Sequence, residues 1–312
     1  MKVFVTGVGG QLGHDVMNEL EKRGYEGIGS DLAEVYSGIQ DGSAVTKMPY
    51  VSMDITDKHS VEEILTKYRP DVVVHCAAWT AVDMAEDDDK VEKVRLVNAV
   101  GTENIALACA ALDCKIVYLS TDYVFDGLGE EPWQPDCKDY KPLNVYGQTK
   151  LEGELAVANH VKKHFIVRIA WVFGVNGKNF IKTMLNLGKT HDRLTVVNDQ
   201  IGTPTYTFDL ARLLVDMLET EKYGYYHATN EGGYISWYEF TKEIFRQAFA
   251  LGHPEYSEDR ICVVPVSTEE YGASKAKRPF NSRLDKSKLT ENGFTPLPTW
   301  QDALQRYLQE VL

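Results

Sequence analysis

The sequence opens with a short apolar run that leads directly into a glycine loop and then into a helical pattern. Lys2–Thr6 has the composition of a buried strand, and Gly7-Val8-Gly9-Gly10-Gln11-Leu12-Gly13 follows it. Glycines at 7, 10 and 13 let the backbone turn tightly and approach a pyrophosphate, whose charge helix N-terminal N–H groups can meet. This unit restricts the chain to an α/β fold more than any other feature. The G-x-x-G-x-x-G spacing differs from the commonest dinucleotide fingerprint, so a plain strand-to-helix turn is the alternative.

Short β-branched runs alternate with helical patterns through the first half of the chain: Leu12–Arg23, Gly27–Ser30, Val61–Tyr68, Val72–His75, Val91–Leu112, Ile116–Leu119, the segment after Tyr146, and Phe165–Arg168. This alternation predicts a doubly wound parallel sheet of the Rossmann type, a dinucleotide-binding domain over residues 1–172. Polar, Gly/Pro-punctuated segments beyond it predict a smaller mixed α/β lobe over residues 173–312, with the chain free to cross between the two lobes. Residues 32–48 predict a surface loop.

Composition and charge exclude several classes of function. The 312 residues include 33 Lys+Arg and 46 Asp+Glu, which gives a net charge of −13. This acidic balance argues against a nucleic-acid partner, because phosphate binding needs a basic face. Five scattered cysteines without a C-x-x-C pair predict free thiols in a reducing compartment. No apolar run has the length of a signal peptide or a membrane span, so we expect a cytoplasmic protein without a membrane partner.

Asp31 follows the second predicted strand, about twenty residues after the glycine loop. A carboxylate at this point can accept hydrogen bonds from a ribose 2′-OH and would repel a 2′-phosphate, which favours NAD over NADP. The alternative is an aspartate that starts a loop or caps a helix.

Tyr146 and Lys150 form the sharpest signal, a Tyr-x-x-x-Lys pair with Ser120-Thr121-Asp122 upstream at the end of a predicted strand. Residues four apart share one helix face, so the phenol and the ammonium can point into the same cleft. A nearby cation lowers the pKa of a tyrosine, which suits a group that exchanges protons. Alone, such a pair is common in amphipathic helices; together with the glycine loop it indicates an oxidoreductase.

These motifs are joined by several further segments in the same order: Ala77-Ala78-Trp79-Thr80-Ala81-Val82-Asp83, Ser120–Phe125, Pro142–Lys150, Trp171-Val172-Phe173, Asn198–Thr205 and Arg278–Leu284. The order resembles that of the extended short-chain dehydrogenase/reductases, and the last two segments narrow the resemblance to the dTDP-4-dehydrorhamnose reductase family. The resemblance implies that NADPH or NADH reduces the C4 ketone of dTDP-4-dehydro-L-rhamnose to dTDP-L-rhamnose, with Tyr146 as proton donor.

The resemblance also implies residue roles. Gly10, Gln11 and Leu12 would hold the cofactor pyrophosphate between Gly7 and Gly13, Asp31 the adenosine ribose, Asp54 and Ile55 the adenine, and Ala77, Ala78, Trp79 and Thr80 the nicotinamide half. Thr121 would bond the substrate carbonyl together with Tyr146, and Lys150 would hold the nicotinamide ribose. The nucleotide-diphosphate-sugar substrate would contact Asp122, Trp171, Gln200, Arg278 and Arg283, with Lys277 as a further cation near its phosphates.

The sequence departs from the family at one point and leaves other functions open. Some members form dimers through a magnesium ion held by glutamates, but this chain has the shorter Asp15 at one such position, so we expect no metal and either a monomer or a homodimer. A nucleotide-sugar 4-epimerase or dehydratase of the same superfamily is one alternative, although Thr121-Asp122-Tyr123 lacks the Thr-Asp-Glu of a dehydratase. A non-catalytic regulatory subunit that binds NADP is the other.

Overall fold

A computed structural model describes residues 1–36 and 48–312. The predicted loop at residues 32–48 therefore lies mostly outside the described residues. Within the described chain the main sheet is formed by β1 Lys2–Thr6, β2 Glu26–Asp31, β3 Tyr50–Ser52, β4 Val72–His75, β5 Lys115–Thr121, β6 His164–Ile169 and β11 Gly224–His227. Its order is β11-β6-β5-β4-β1-β2-β3, and every pairing is parallel. The predicted doubly wound parallel sheet is confirmed.

Helices cover both faces of this sheet. The α-helices of the described ranges, in both lobes, are α1 Gln11–Lys22, α2 Lys58–Tyr68, α3 Val91–Arg95, α4 Thr102–Leu112, α5 Val145–His160, α6 Phe180–Thr190, α7 Thr207–Leu218, α8 Trp237–Ala250, α9 Thr268–Tyr271, α10 Ser287–Glu291 and α11 Trp300–Val311. One apolar core lies between the sheet and α1 and α7, and a second lies between the opposite face and α2, α4 and α5. β4 and β5 are buried on both faces, which explains why their sequences lack polar alternation.

Residues 207–227 return to the main sheet after the chain has entered the second lobe. α7 packs beside α1, and β11 adds an edge strand next to β6, with Tyr226 opposite Val167. The chain therefore leaves the main sheet after β6 and returns to it with β11.

A second lobe packs around its own aromatic core, in which Phe173, Tyr206, Phe240, Trp300 and Tyr307 are buried. Its strands pair in short two-stranded sheets: β7 Val172–Phe173 with β10 Thr205–Tyr206, β9 Ile201–Gly202 with β12 Ile235–Ser236, and β8 Arg193–Val197 with β13 Cys262–Val266.

The long helix predicted at Val91–Leu112 contains a π-helical segment at Leu96–Gly101, which joins α3 to α4. Asn98 lies in this segment and is buried. Its side chain accepts a hydrogen bond from the backbone N of Trp79 at 2.8 Å and donates to the hydroxyl of Thr149 at 3.2 Å. The wider turn thus ties the loop after β4 to α5.

No helix in the described ranges is long and apolar enough to span a bilayer.

Replacing Gly13 with alanine should destabilise the fold, because a Cβ there would lie 2.3 Å from the carbonyl oxygen of Gly7. We expect a loss of about 1–3 kcal/mol in the free energy of unfolding, measured by urea denaturation. Gly10→Ala is the matched control in the same loop, since its Cβ would lie 3.3 Å from the same oxygen and should cost much less. Equal urea midpoints for the two variants would contradict this account.

Candidate functional site

A cavity of about 760 Å³ opens at the carboxyl ends of the strands of the main sheet. It lies where the strand order reverses, between β1 and β4. Ligands of open parallel α/β sheets bind at such a reversal, because the connecting loops diverge there. The walls come from the segments that follow β1, β2, β3, β4, β5 and β6, from the start of α5, and from the second lobe. One continuous cavity therefore runs from the main sheet into the second lobe.

Most residues predicted from the sequence line this cavity. They are Gly7, Gly10, Gln11, Leu12, Gly13, Asp31, Asp54, Ile55, Ala77, Ala78, Thr80, Thr121, Asp122, Tyr146, Lys150, Trp171 and Arg278.

Three predicted residues point elsewhere. The indole N–H of Trp79 donates to the carbonyl of Ala81 at 3.1 Å, the buried Gln200 amide donates to Thr268 at 3.0 Å, and the Arg283 guanidinium donates to Asn281 at 3.1 Å. Neither these three residues nor Lys277, the further cation predicted near the phosphates, is among the residues that form the cavity wall.

The glycine loop is shaped by backbone contacts. Gly7 has φ of 72°, a left-handed conformation that favours glycine, and a Cβ there would lie 2.6 Å from the backbone N of Ala77. Gly10 is the N-cap of α1 and supplies no capping side chain, so the first N–H groups of the helix are open to the cavity. This cradle fits a pyrophosphate.

A loop from the second lobe holds the glycine loop in place. The side-chain amide of Asn176 donates to the carbonyls of Gly9 and Gly10 at 2.9 and 3.1 Å. The side-chain oxygen of Gln11 accepts hydrogen bonds from the backbone N of Gly174 at 2.8 Å and from the amide of Asn179 at 3.1 Å. The two lobes are therefore joined directly at the cradle.

The Asp31 carboxylate lies at the end of β2, on the cavity wall. One of its oxygens accepts from the backbone N of Gly9 at 2.8 Å and the other from that of Leu32 at 2.7 Å. Nearby, the Ser30 hydroxyl is buried and has no hydrogen-bond partner among the described residues. This end of the cavity carries a fixed anion beside a free hydroxyl, which suits a ribose more than a 2′-phosphate.

Tyr146 and Lys150 lie one turn apart on α5, whose first turn is capped by the side chain of Asn144 accepting from Gly147 N at 2.8 Å. Burial raises the pKa of Tyr146, the nearby Asp122 carboxylate raises it further, and a hydrogen bond with Thr121 opposes them. Burial lowers the pKa of Lys150 to about 7, while Glu154 and Cys76 act to raise it. Both side chains are thus driven towards their uncharged forms.

Thr121 and Asp122 close the end of β5 over the same part of the cavity. The hydroxyl of Thr121 donates to the Asp122 carboxylate at 3.0 Å, and burial raises the pKa of that carboxyl to about 6. The hydroxyl of the preceding Ser120 is buried without a hydrogen-bond partner among the described residues. A hydroxyl, a phenol and a carboxyl therefore converge where a carbonyl could be bound and protonated.

Beside the predicted Trp171, the second-lobe wall contains three aromatic residues that the sequence analysis missed, Phe180, Trp237 and Phe240. Trp171 has φ of 51° and its ring stacks on Trp237 with centroids 3.6 Å apart, and Phe180 and Phe240 lie beside Trp237. Lys178 also lines this wall. Aromatic residues at helical spacing, such as Trp237 and Phe240 on α8, are typical of a buried core, so the sequence alone did not indicate that they line a cavity.

Arg278 lines the cavity but is already paired. Its guanidinium donates to both oxygens of Asp83 at 3.0 and 2.7 Å, and this pairing lowers the pKa of Asp83. A phosphate bound by Arg278 would have to share it with that carboxylate.

The residues around Asp15 do not fit a magnesium ion. The Asp15 carboxylate is buried and accepts a hydrogen bond from Thr207, and burial raises its pKa to about 7. A metal ligand needs an ionised carboxylate, whereas this environment favours the neutral acid. The described part of the chain contains no cluster of His, Cys, Asp and Glu able to hold a metal ion.

Asp15→Asn should become more stabilising as the pH rises. The carboxyl has a raised pKa in the folded state, so its contribution to stability is complete below the unfolded value of 3.8 and is lost as the pH approaches about 7. The variant's gain in melting temperature should therefore grow from pH 5.5 to 7, to several degrees, and then level off. Glu92→Gln, on the exposed side of α3, is the control. A gain that does not change with pH would contradict the effect of burial.

A family model and individual relatives both match this chain along nearly its whole length. The model of the RmlD substrate binding domain family matches residues 1–312. The spore coat polysaccharide biosynthesis protein SpsK of Bacillus subtilis is 38% identical over 309 residues, 99% of this chain and 97% of that protein. A dTDP-4-dehydrorhamnose reductase of Aggregatibacter actinomycetemcomitans is 37% identical over 311 residues, 97% of each chain.

A solved structure agrees with these relatives. The dTDP-4-dehydrorhamnose reductase of Bacillus anthracis, in complex with NADP, is 36% identical, superposes with a TM-score of 0.85 and is covered over 99% of both chains. The glycine cradle, the Tyr146/Lys150 pair and this similarity along the whole chain lead to one conclusion: the protein belongs to the RmlD family of dTDP-4-dehydrorhamnose reductases.

Proposed function

We propose that the protein is an NAD(P)H-dependent oxidoreductase that reduces the C4 ketone of dTDP-4-dehydro-L-rhamnose to dTDP-L-rhamnose. The observation that carries the proposal is the convergence of Thr121, Tyr146 and Lys150 in the same cavity as the glycine cradle. The proposed substrate rests on the similarity to the family, and the proposed chemistry rests on the residues in the cavity.

The cavity fits a reduced nicotinamide dinucleotide. The glycine cradle and the open N-terminus of α1 would bind the pyrophosphate, and Asp31 and the Ser30 hydroxyl the adenosine ribose. Ala77, Ala78 and Thr80 would contact the nicotinamide half. When bound, the cofactor supplies the hydride. The remaining chemistry falls to the protein.

Tyr146 holds the proton that the substrate oxygen receives. Because burial and the Asp122 carboxylate raise its pKa, Tyr146 stays protonated at neutral pH and acts as an acid. Charged Lys150 on the next turn stabilises the phenolate left after proton transfer and donates to the nicotinamide ribose. Thr121 donates to the ketone oxygen and holds it beside Tyr146.

The second-lobe wall binds the nucleotide. Its aromatic rings, chiefly Trp171 and Trp237, offer flat surfaces to a base or sugar ring, and Lys178 and Arg278 are the cations nearest to a diphosphate in this part of the cavity. The roles of Gln200 and Arg283 stay predictions that need side-chain movement.

Tyr146→Phe should lower kcat by at least about 100-fold, because the ring is kept and the transferable proton is lost. The assay follows the loss of reduced-nicotinamide absorbance when dTDP-4-dehydro-L-rhamnose is added with NADH or NADPH. Binding of the reduced cofactor, measured by its fluorescence, should change little. Tyr271→Phe, on an exposed tyrosine of α9, is the matched control and should keep full activity.

The same assay separates the alternative functions. A reductase releases its cofactor, whereas an epimerase should purify with NAD bound and give no net oxidation. A regulatory subunit should bind cofactor without turnover. Folded wild-type protein that binds cofactor and oxidises none of it would refute the proposed reduction.

Asp31→Ser should shift cofactor preference towards NADPH. The carboxylate repels a 2′-phosphate at short range, so its removal should raise the ratio of kcat/KM for NADPH over NADH by about tenfold or more. Glu34→Gln removes one negative charge from the exposed segment just after β2 and serves as control. The role of Asp31 would be wrong if both substitutions changed the ratio equally.

A further inference from the structure

A fully buried ion pair lies one helical turn beyond Lys150. Glu154 on α5 and Arg168 on β6 each have 0% exposed side chains, and two N–H groups of the guanidinium donate to the two carboxylate oxygens at 2.8 Å each. This bidentate geometry fixes the position of the carboxylate.

Arg168 is itself held from several sides. It donates to the carbonyl of Pro135 at 3.0 Å and to the hydroxyl of Tyr140 at 3.2 Å, and it stacks on the rings of Phe125, Tyr140 and Tyr225. Such contacts leave Glu154 little freedom to rotate away.

Stability alone does not account for this pair. Burying two charges costs desolvation energy that their attraction barely offsets, and apolar residues of similar volume often stabilise a core as well or better. Apolar residues could not, however, place a fixed negative charge on the catalytic helix. Glu154 is four residues after Lys150, so the two side chains share one face of α5.

Lys150 is faced by titratable groups from three elements. Besides Glu154, they are Tyr146 on α5, His75 and the following Cys76 at the end of β4, and Tyr118 on β5, whose ring centroid is 4.2 Å from the Lys150 ammonium. Burial keeps His75 and the Cys76 thiol neutral, since it lowers the pKa of the imidazole to about 3 and raises that of the thiol to about 12. Burial likewise raises the pKa of Tyr118, so the phenol is neutral. Glu154, the carboxylate bound to Arg168, is thus the group on this face whose charge opposes that of the Lys150 ammonium.

We propose that the Glu154–Arg168 pair is a positioning pair that keeps Lys150 charged in its buried site, and this proposal rests on the proposed function of Lys150. Arg168 holds the Glu154 carboxylate in place through two hydrogen bonds, and Glu154 offsets the desolvation of the Lys150 ammonium. Neither residue lines the cavity, so both act on the reaction through Lys150.

The test measures the dissociation constant of NADH by fluorescence as a function of pH, without substrate. NADH is the probe because it lacks a 2′-phosphate that would itself titrate. Wild-type binding should weaken with a midpoint that reports loss of the Lys150 proton, and Lys150→Met should show no such midpoint. In Glu154→Gln, and in the charge-free pair Glu154→Gln/Arg168→Met, the midpoint should fall by about one pH unit or more. The alkaline limb of kcat should move with it.

Tyr140→Phe is the matched control, because it removes one hydrogen bond to Arg168 and leaves the ion pair intact. Its midpoint should equal that of the wild type. If the neutral variants do not fold, Glu154→Asp keeps the charge but withdraws it by one methylene, and it should lower the midpoint by a smaller amount. Folded variants with an unchanged midpoint would overturn the proposal. A wild type that binds NADH but does not reduce the sugar would instead refute the proposed function.

Discussion

The backbone contact between Gly13 and the carbonyl of Gly7 fixes the position of the rest of the cavity. It brings α1 directly against the loop after β1, and Gly7 in turn lies against the backbone of Ala77 after β4. Neighbouring parallel strands then place Thr121 at the same edge of the sheet. Because these contacts join backbone to backbone, no change of side-chain rotamer can adjust them, and the spacing of the whole site depends on them.

The central sheet could be predicted because its inner strands are continuous apolar runs, and Val72–His75 is found with the predicted bounds. The π-helical turn at Leu96–Gly101 could not, since its buried residues Asn98, Ala99 and Gly101 are polar or small and show no apolar stripe whose shift could be recognised. In the site, Tyr146 and Lys150 meet because helix geometry fixes their spacing. Gln200 and Arg283 lie in family motifs but bond elsewhere, because a motif does not determine where a side chain points.

Burial is the common cause of the unusual protonation behaviour in this molecule. It favours the neutral forms of Tyr146, Asp122 and Lys150, so the phenol and the carboxyl keep their protons, whereas the Lys150 ammonium needs a nearby carboxylate to keep its own. The same effect acts on Asp15 on α1, where it disfavours a metal ion. A charged side chain is found in the core where an oppositely charged partner is fixed beside it, as Glu154 is beside Arg168.

The late return of β11 to the main sheet affects how the chain can fold during synthesis. Until residue 227 has left the ribosome, β6 is an unpaired edge of an apolar parallel sheet, open to pairing with other chains. The second lobe interrupts the sequence between these two strands, so the nascent protein must hold that edge exposed while residues 170–223 emerge. The cradle for the pyrophosphate is encoded in the first residues, yet the sheet that supports it is completed only when more than two thirds of the chain has been made.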